Sequence, residues 1–250
     1  MVEPLPHMYE AGLFATSVVA AAIASVTGFG IGSLITPVLS LSVGTKLAVA
    51  VVSIPHFVAT ALRFWMLRGH VDKKVLLGFG LMSTLGGLAG ALLHARFPTP
   101  ALTLIFGAIL IFAGFMGASR LSERMRFHGV GAWIAGGLSG MLGGLVGNQG
   151  GIRSAALLGF KISKVAFVAT ATAIGLIVDI SRMPVYFWSE TQGILSSRNW
   201  ILITTVGVVI GTVLGAKLLR RLPERSFRQV VSMLILALGV FMTYRGLTQA

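Results

Sequence analysis

Apolar residues in this chain run in long blocks, and polar residues gather between them. Ten blocks can be read: Tyr9–Val26, Ile31–Val43, Leu47–Leu67, Val75–Ala95, Ala101–Ser119, Gly129–Val146, Ile152–Phe160, Val165–Trp188, Trp200–Leu219 and Phe227–Tyr244. Most approach the roughly 20 residues that cross a bilayer as a helix. The pattern therefore predicts an all-α, polytopic membrane protein. Ile31–Val43 and Ile152–Phe160 are too short to cross alone. Each follows a glycine cluster, Gly28-Phe29-Gly30-Ile31-Gly32 in one case and Gly147-Asn148-Gln149-Gly150-Gly151 in the other.

Composition supports the same class. Apolar residues make up 55% of the chain and charged residues 11%, against roughly 25% charged in ordinary soluble proteins. Mean hydropathy is +0.90, more apolar surface than a soluble fold of this size can hide. The 32 glycines suit close helix packing in lipid. The net charge of +13 would suggest nucleic acid in a soluble chain, but here it lies between apolar blocks, as in cytoplasmic loops. With no cysteine, disulfides, thiol catalysis, iron–sulfur clusters and Cys-ligated zinc are excluded. Met1 to Glu10 hold no Lys or Arg, so the basic region of a signal peptide is not expected there.

The paired glycine clusters point to an internal repeat. A shift of 119 residues overlays Gly28 on Gly147, Gly32 on Gly151, Leu39 on Leu158 and Arg63 on Arg182. A shift of 125 overlays Gly86 on Gly211, Gly90 on Gly215, Ala91 on Ala216, Arg96 on Arg221 and Pro98 on Pro223. The expected organisation is a first transmembrane repeat over 1–120, a basic cytoplasmic linker over 121–128, and a second repeat over 129–250, each of about five helical segments. Charge sets their orientation. With both termini outside, Arg68–Lys74, Arg120–Arg126, Lys161–Lys164 and Lys217–Arg228 all face the cytoplasm and carry thirteen basic residues. Only Lys46, Arg96, Arg198 and Arg245 lie outside. This positive-inside bias implies inverted-topology repeats, as in many secondary transporters. The short segments either span fully or form half-membrane hairpins; charge does not choose.

Interrupted helices survive in hydrocarbon only where they are buried or line a cavity. A helix N-terminus after each break offers free N–H donors and positive partial charge, which favour an anion. Two such ends converging near the bilayer midplane would form an anion site. Its expected members are Gly28, Gly30, Gly32, Ser33 and Thr36 from the first break, and Asn148, Gln149, Gly150, Gly151, Arg153 and Ser154 from the second. Arg153 offers a planar fork of donors to sulfonate, carboxylate or phosphate groups. The alternative is that the glycines serve close helix contact and Arg153 snorkels to the cytoplasmic surface. Asp179 is the acid deep within an apolar block, and Arg182 shares its helix face three residues on. It is either a proton or cation coupling group or half of a structural ion pair. Arg63 and Arg182 are snorkelling or gating charges, and His56 is a packing group or a proton relay. Thr170 and Thr172 are candidates to line the cavity.

At these residues the chain resembles the sulfite exporter TauE/SafE family of membrane proteins. The resemblance covers nearly the whole chain and rests on a glycine-rich motif near the start of each half, Thr27-Gly28-Phe29-Gly30-Ile31-Gly32-Ser33-Leu34-Ile35-Thr36-Pro37 and Gly143-Gly144-Leu145-Val146-Gly147-Asn148-Gln149-Gly150-Gly151-Ile152-Arg153. In the second motif Ala156 takes the place that Pro37 holds in the first, and Asn148-Gln149 replace glycine or apolar residues. The resemblance implies transport of small sulfur oxyanions or organosulfonates, usually outward, across a bacterial cytoplasmic membrane.

Other functions are less well served. Gly137-Leu138-Ser139-Gly140 matches the nucleophile pattern of rhomboid proteases, but the histidine base follows the serine there, and His128 is the last histidine in this chain. No His-Glu-x-x-His or Walker-type motif is present. An anion channel and a non-transporting membrane component of a larger complex remain as alternatives to a carrier. The expected partners are a small anion, the lipid bilayer and a coupling ion, the proton foremost. No enzyme activity, cofactor, metal or nucleic acid is expected, and a homo-oligomer and a monomer both fit the small-residue stripe Gly207, Gly211 and Gly215.

Overall fold

The computed structural model describes residues 6–28, 30–119, 129–147, 162–218 and 224–249, together with 150, 153, 157 and 160. Among these the regular elements are helices, and no strand occurs. They are α1 (Pro6–Thr27), α2 (Ile31–Leu67), α3 (Lys73–Arg96), α4 (Thr99–Ala118), α5 (Val130–Val146), α6 (Lys164–Ser189), the short α7 (Thr191–Ser196), α8 (Arg198–Leu218) and α9 (Glu224–Gln249). Six are long and apolar enough to cross a membrane, and the apolar parts of α5 and α9 are somewhat shorter. The protein is an all-α, polytopic membrane protein.

Local chemistry sets the helix ends. Asp72 caps α3 by accepting from the backbone N–H of Lys74 and Val75, each at 3.0 Å. The Asp72 N–H donates in turn to Thr170 Oγ1 on α6 (2.9 Å), which uses that hydroxyl outside the cavity proposed for it. Pro100 opens α4, where a missing N–H costs nothing. α1 and α5 close alike. Gly28 (φ 79°) donates to Ala24 O and Gly147 (φ 74°) to Gly143 O, both at 3.0 Å. That left-handed conformation suits glycine and stops a helix.

The expected segments Ile31–Val43 and Leu47–Leu67 are not separated by a loop. They form the two arms of α2, 31–43 and 45–67, which meet at Gly44 (φ 76°, ψ 160°). The first arm rises about 20 Å at 1.5 Å per residue, short of the roughly 30 Å hydrocarbon core. Its C-terminal carbonyls are held from α9, where Arg245 donates to Ser40 O (3.0 Å) and Leu41 O (3.3 Å). Most of Ile152–Phe160, the linker 121–128 and the last residues of Trp200–Leu219 fall outside the described residues.

Glycines bring the helices into close contact. A Cβ at Gly86 or Gly90 of α3 would overlap Gly137 O or Met141 O of α5, and one at Gly140 or Gly144 would overlap Ser83 O or Gly87 O. Numbers rise together in both helices, so α3 and α5 run parallel. α1 and α8 also run parallel, with Gly207 on Phe14 O, Gly211 on Val18 O and Gly215 on Ala22. α4 and α9 are antiparallel, since Gly107 meets Thr243 while Gly114 meets Leu236 and Gly246 meets Leu104. Such small-residue faces let backbones approach, which drives helix association in lipid.

α2 and α6 lie at the centre. Their apolar stretches are 61% and 56% buried, against 33–39% in the other four long spans. They cross antiparallel, with Asp179 meeting His56 and Gly175 meeting Thr60 one turn away. The core around them includes Leu34, Ile35 and Leu39 of the first arm and Ala48 to Val52 of the second, all essentially inaccessible.

Candidate functional site

The two helix breaks meet. A Cβ at Gly32, in the first turn of α2, would overlap Gly147 O at the end of α5. Thr36, a turn further on, faces the same glycine: its Oγ1 lies 4.0 Å from where a Gly147 Cβ would stand. Thr36 Oγ1 is buried and, among the described residues, has no hydrogen-bond partner. Ser33 and Gly150 are buried as well.

Beside the first break lies a small polar cleft. Ala24, Gly28, Gly30 and Ile31 form one wall, His56, Thr60 and Arg63 of α2 a second, and Ala171, Thr172 and Gly175 of α6, with Arg153, the rest. It admits little more than a water-sized group, so an oxyanion would have to widen it. Arg153 and Arg63 are only 3% and 4% exposed, so neither snorkels. Each spends one donor on the end of α1: Arg153 Nη2 donates to Gly28 O (3.3 Å) and Arg63 Nη1 to Ala24 O. Among the described residues, Arg63 Nε, Arg153 Nε and Nη1, and Thr172 Oγ1 are buried without a partner. Gly175 makes room for this arrangement, since a Cβ there would stand 3.0 Å from Arg153 Nη1.

The second break is braced instead. Arg182 donates through Nη1 to Gly143 O, Tyr186 Oη donates to Gly144 O, and His94 Nδ1 donates to Leu145 O (2.8 Å). The His94 and Tyr186 rings pack edge to face at 4.9 Å. Arg182, 1% exposed, is clamped by Asp179: Nε and Nη2 lie 3.0 and 2.7 Å from Oδ1. The other carboxylate oxygen, Oδ2, accepts from His56 Nδ1 at 2.6 Å. The expected Asp179–Arg182 pair thus forms, with His56 as its third member and as a wall of the cleft.

The structure therefore brings Gly28, Gly30, Arg153, Arg63 and His56 together, with Asp179 and Arg182 one contact away. Gly32 and Thr36 lie against the second break instead, and Ser33 is buried between them in the sequence. Asn148, Gln149, Gly151 and Ser154 fall outside the described residues. Sequence reasoning missed Thr60, Gly175, Tyr186 and His94, which converge from separate helices and carry no local signature. For Arg63 a signal existed: it sits 39 residues after Ala24, as Arg182 sits 39 after Gly143.

Broken helices meeting inside a polytopic bundle, with buried cations at the junction, are an arrangement that secondary transporters use for their sites. The family model for the sulfite exporter TauE/SafE matches residues 13–242, and the chain belongs to that family. Comparison with curated proteins and with solved structures gave no match. It is a membrane protein of a family of sulfur-anion exporters, and that family's members are transporters rather than enzymes.

Proposed function

We propose that the protein is a secondary transporter that carries a small sulfur oxyanion or organosulfonate outward across the bacterial cytoplasmic membrane. One observation carries this reading: Arg63 and Arg153 are buried beside the first break with donors that, among the described residues, no protein atom uses. A buried guanidinium with unpaired donors is costly, and an oxyanion supplies the planar acceptors they lack. The N-terminus of α2 adds N–H dipole to the same place.

The mechanism proposed is alternating access between two inverted repeats, with both termini outside. The antiparallel crossings of α2 with α6 and of α4 with α9 support inversion, because in each case the partners occupy matching places in the two halves. The small volume of the cleft suits a closed intermediate that widens as one body moves against the other. Asp179 and His56 are proposed as the proton-coupling pair, since they join the cleft to the bracing of the second break.

The test is flux in liposomes holding the purified protein, with sulfite, small sulfonates, carboxylates and chloride, with and without a pH gradient. Saturable, gradient-dependent movement of one oxyanion class is expected. Unsaturable flux driven only by the anion's own gradient would make it a channel. No flux would leave a membrane component that transports nothing by itself.

A further inference from the structure

The buried charges do not balance. Among the described residues, Arg63, Arg153 and Arg182 are buried guanidiniums, and Asp179 is the one buried carboxylate. Both hydrogen-bonding nitrogens that Arg182 turns toward a carboxylate go to Asp179 Oδ1, so this pair is closed. Arg63 and Arg153 have no carboxylate partner, line the same cleft and repel one another. Of the remaining six acids of the chain, Glu10 stands at the outer end of the first apolar block, and Glu3, Asp72, Glu123, Glu190 and Glu224 lie outside the blocks. Two positive charges therefore face one small cavity. Because Arg63 and Arg153 hold α1 through one Nη each, their unpartnered Nε–H groups, and Nη1 of Arg153, can bind a ligand while those tethers stay in place.

We propose that the cleft selects its oxyanion as a dianion, with Arg63 and Arg153 each neutralising one charge. This rests on the oxyanion reading above and adds a charge rule to it: the doubly ionised form is bound, and singly charged sulfonates of similar size are poor ligands. A monoanion would leave one guanidinium buried and uncompensated, a penalty that water in so small a space does not relieve. Thr172 Oγ1, also unpartnered, supplies one further donor to a third oxygen.

The experiment compares anions of one geometry and different charge on the intact purified protein, by calorimetric or thermal-shift titration. Sulfate and methyl sulfate form one pair. Sulfite followed from about pH 6 to pH 8, against methanesulfonate over the same range, forms the second. The expected result is a dissociation constant about tenfold or more lower for sulfate than for methyl sulfate. Affinity for total sulfite should rise with pH relative to that for methanesulfonate as the dianion replaces the monoanion, the methanesulfonate series carrying whatever His56 at the cleft wall, with Asp179 and Arg182 behind it, contributes over the same range. Arg153→Gln and Arg63→Gln should each compress the ratio toward one, whereas Arg63→Lys, which keeps the charge, should largely preserve it. Equal binding of the paired anions by the wild-type protein would overturn the charge rule while leaving the oxyanion site standing, and that comparison needs no variant to fold. Failure of every anion to bind would remove the oxyanion reading and this inference with it.

Discussion

His56 and Asp179 touch at the crossing of α2 and α6, Nδ1 to Oδ2 at 2.6 Å, and the positions 119 residues from each, Gly175 and Thr60, touch at the same crossing. The backbone arrangement is repeated while the chemistry is not. One side carries a histidine and a carboxylate; the other carries a hydroxyl and an empty Cα that admits the Arg153 guanidinium. Arg63 and Arg182 show the same split. They make one hydrogen bond in duplicate, to Ala24 O and Gly143 O, yet only Arg182 has a carboxylate.

Asp179→Asn should abolish the response of transport to a pH gradient, and His56→Gln should act in the same direction. Some stability is lost in any case, about 3 kcal/mol or more, because Arg182 stays buried beside a weaker acceptor. The discriminating readout is therefore flux with and without the gradient in reconstituted vesicles. An intact response in a destabilised Asp179→Asn protein would assign the pair to structure alone.

Arg153→Gln removes the cation and shortens the reach to the cleft. Expected is a loss of anion affinity of about tenfold to a hundredfold, as for other charge-assisted hydrogen bonds. Yield and the thermal midpoint should change little, since Arg153 makes one long bond of 3.3 Å to the protein. Titration of the purified variant checks both; unchanged affinity would take Arg153 out of the site.

Gly140→Ala and Gly144→Ala should each destabilise the bundle by about 1–3 kcal/mol, because the added methyl meets backbone oxygens of α3 that cannot step aside. Gly12→Ala is the control. It lies within α1, and its Cβ would meet nothing within 4 Å. Thermal unfolding in detergent should find it neutral or slightly stabilised, as helix propensity alone implies.

At the junction of the breaks, Gly32→Ala should be more damaging than Gly147→Ala. The first forces a methyl onto Gly147 O. The second finds its nearest atom, Val49 Cγ1, at 3.5 Å and suffers mainly from its left-handed backbone, about 1–2 kcal/mol. Comparing thermal midpoints and anion affinities of the two variants tests whether contact or conformation governs the junction.

The membrane class, the helix ends and both breaks were legible because each depends on local signals. Apolar length marks a span, and a glycine where φ must be positive marks a stop. Asp179 and Arg182 were legible as a pair because helical spacing places them on one face. The third partner, His56, lies 123 residues from Asp179 and depends on how two helices cross. Of the two readings of Arg63, snorkelling fails for a related reason. A lone arginine near the end of an apolar block reads as snorkelling to water, whereas here the Ala24 carbonyl near the end of α1 offers it a buried acceptor. The four members of the second motif beyond the described residues stay as sequence expectations.

The contacts that hold α1 and α5 have a consequence for how the chain is made. α1 packs on α8 and α3 packs on α5, so neither half finds the partners of its glycine faces within itself. As the first half leaves the ribosome and enters the bilayer, Gly86 and Gly90 face lipid until α5 arrives, and α1 waits for α8 near the end of synthesis. The architecture is completed late and by exchange, so assembly of the whole chain, rather than of either half, is the folding event.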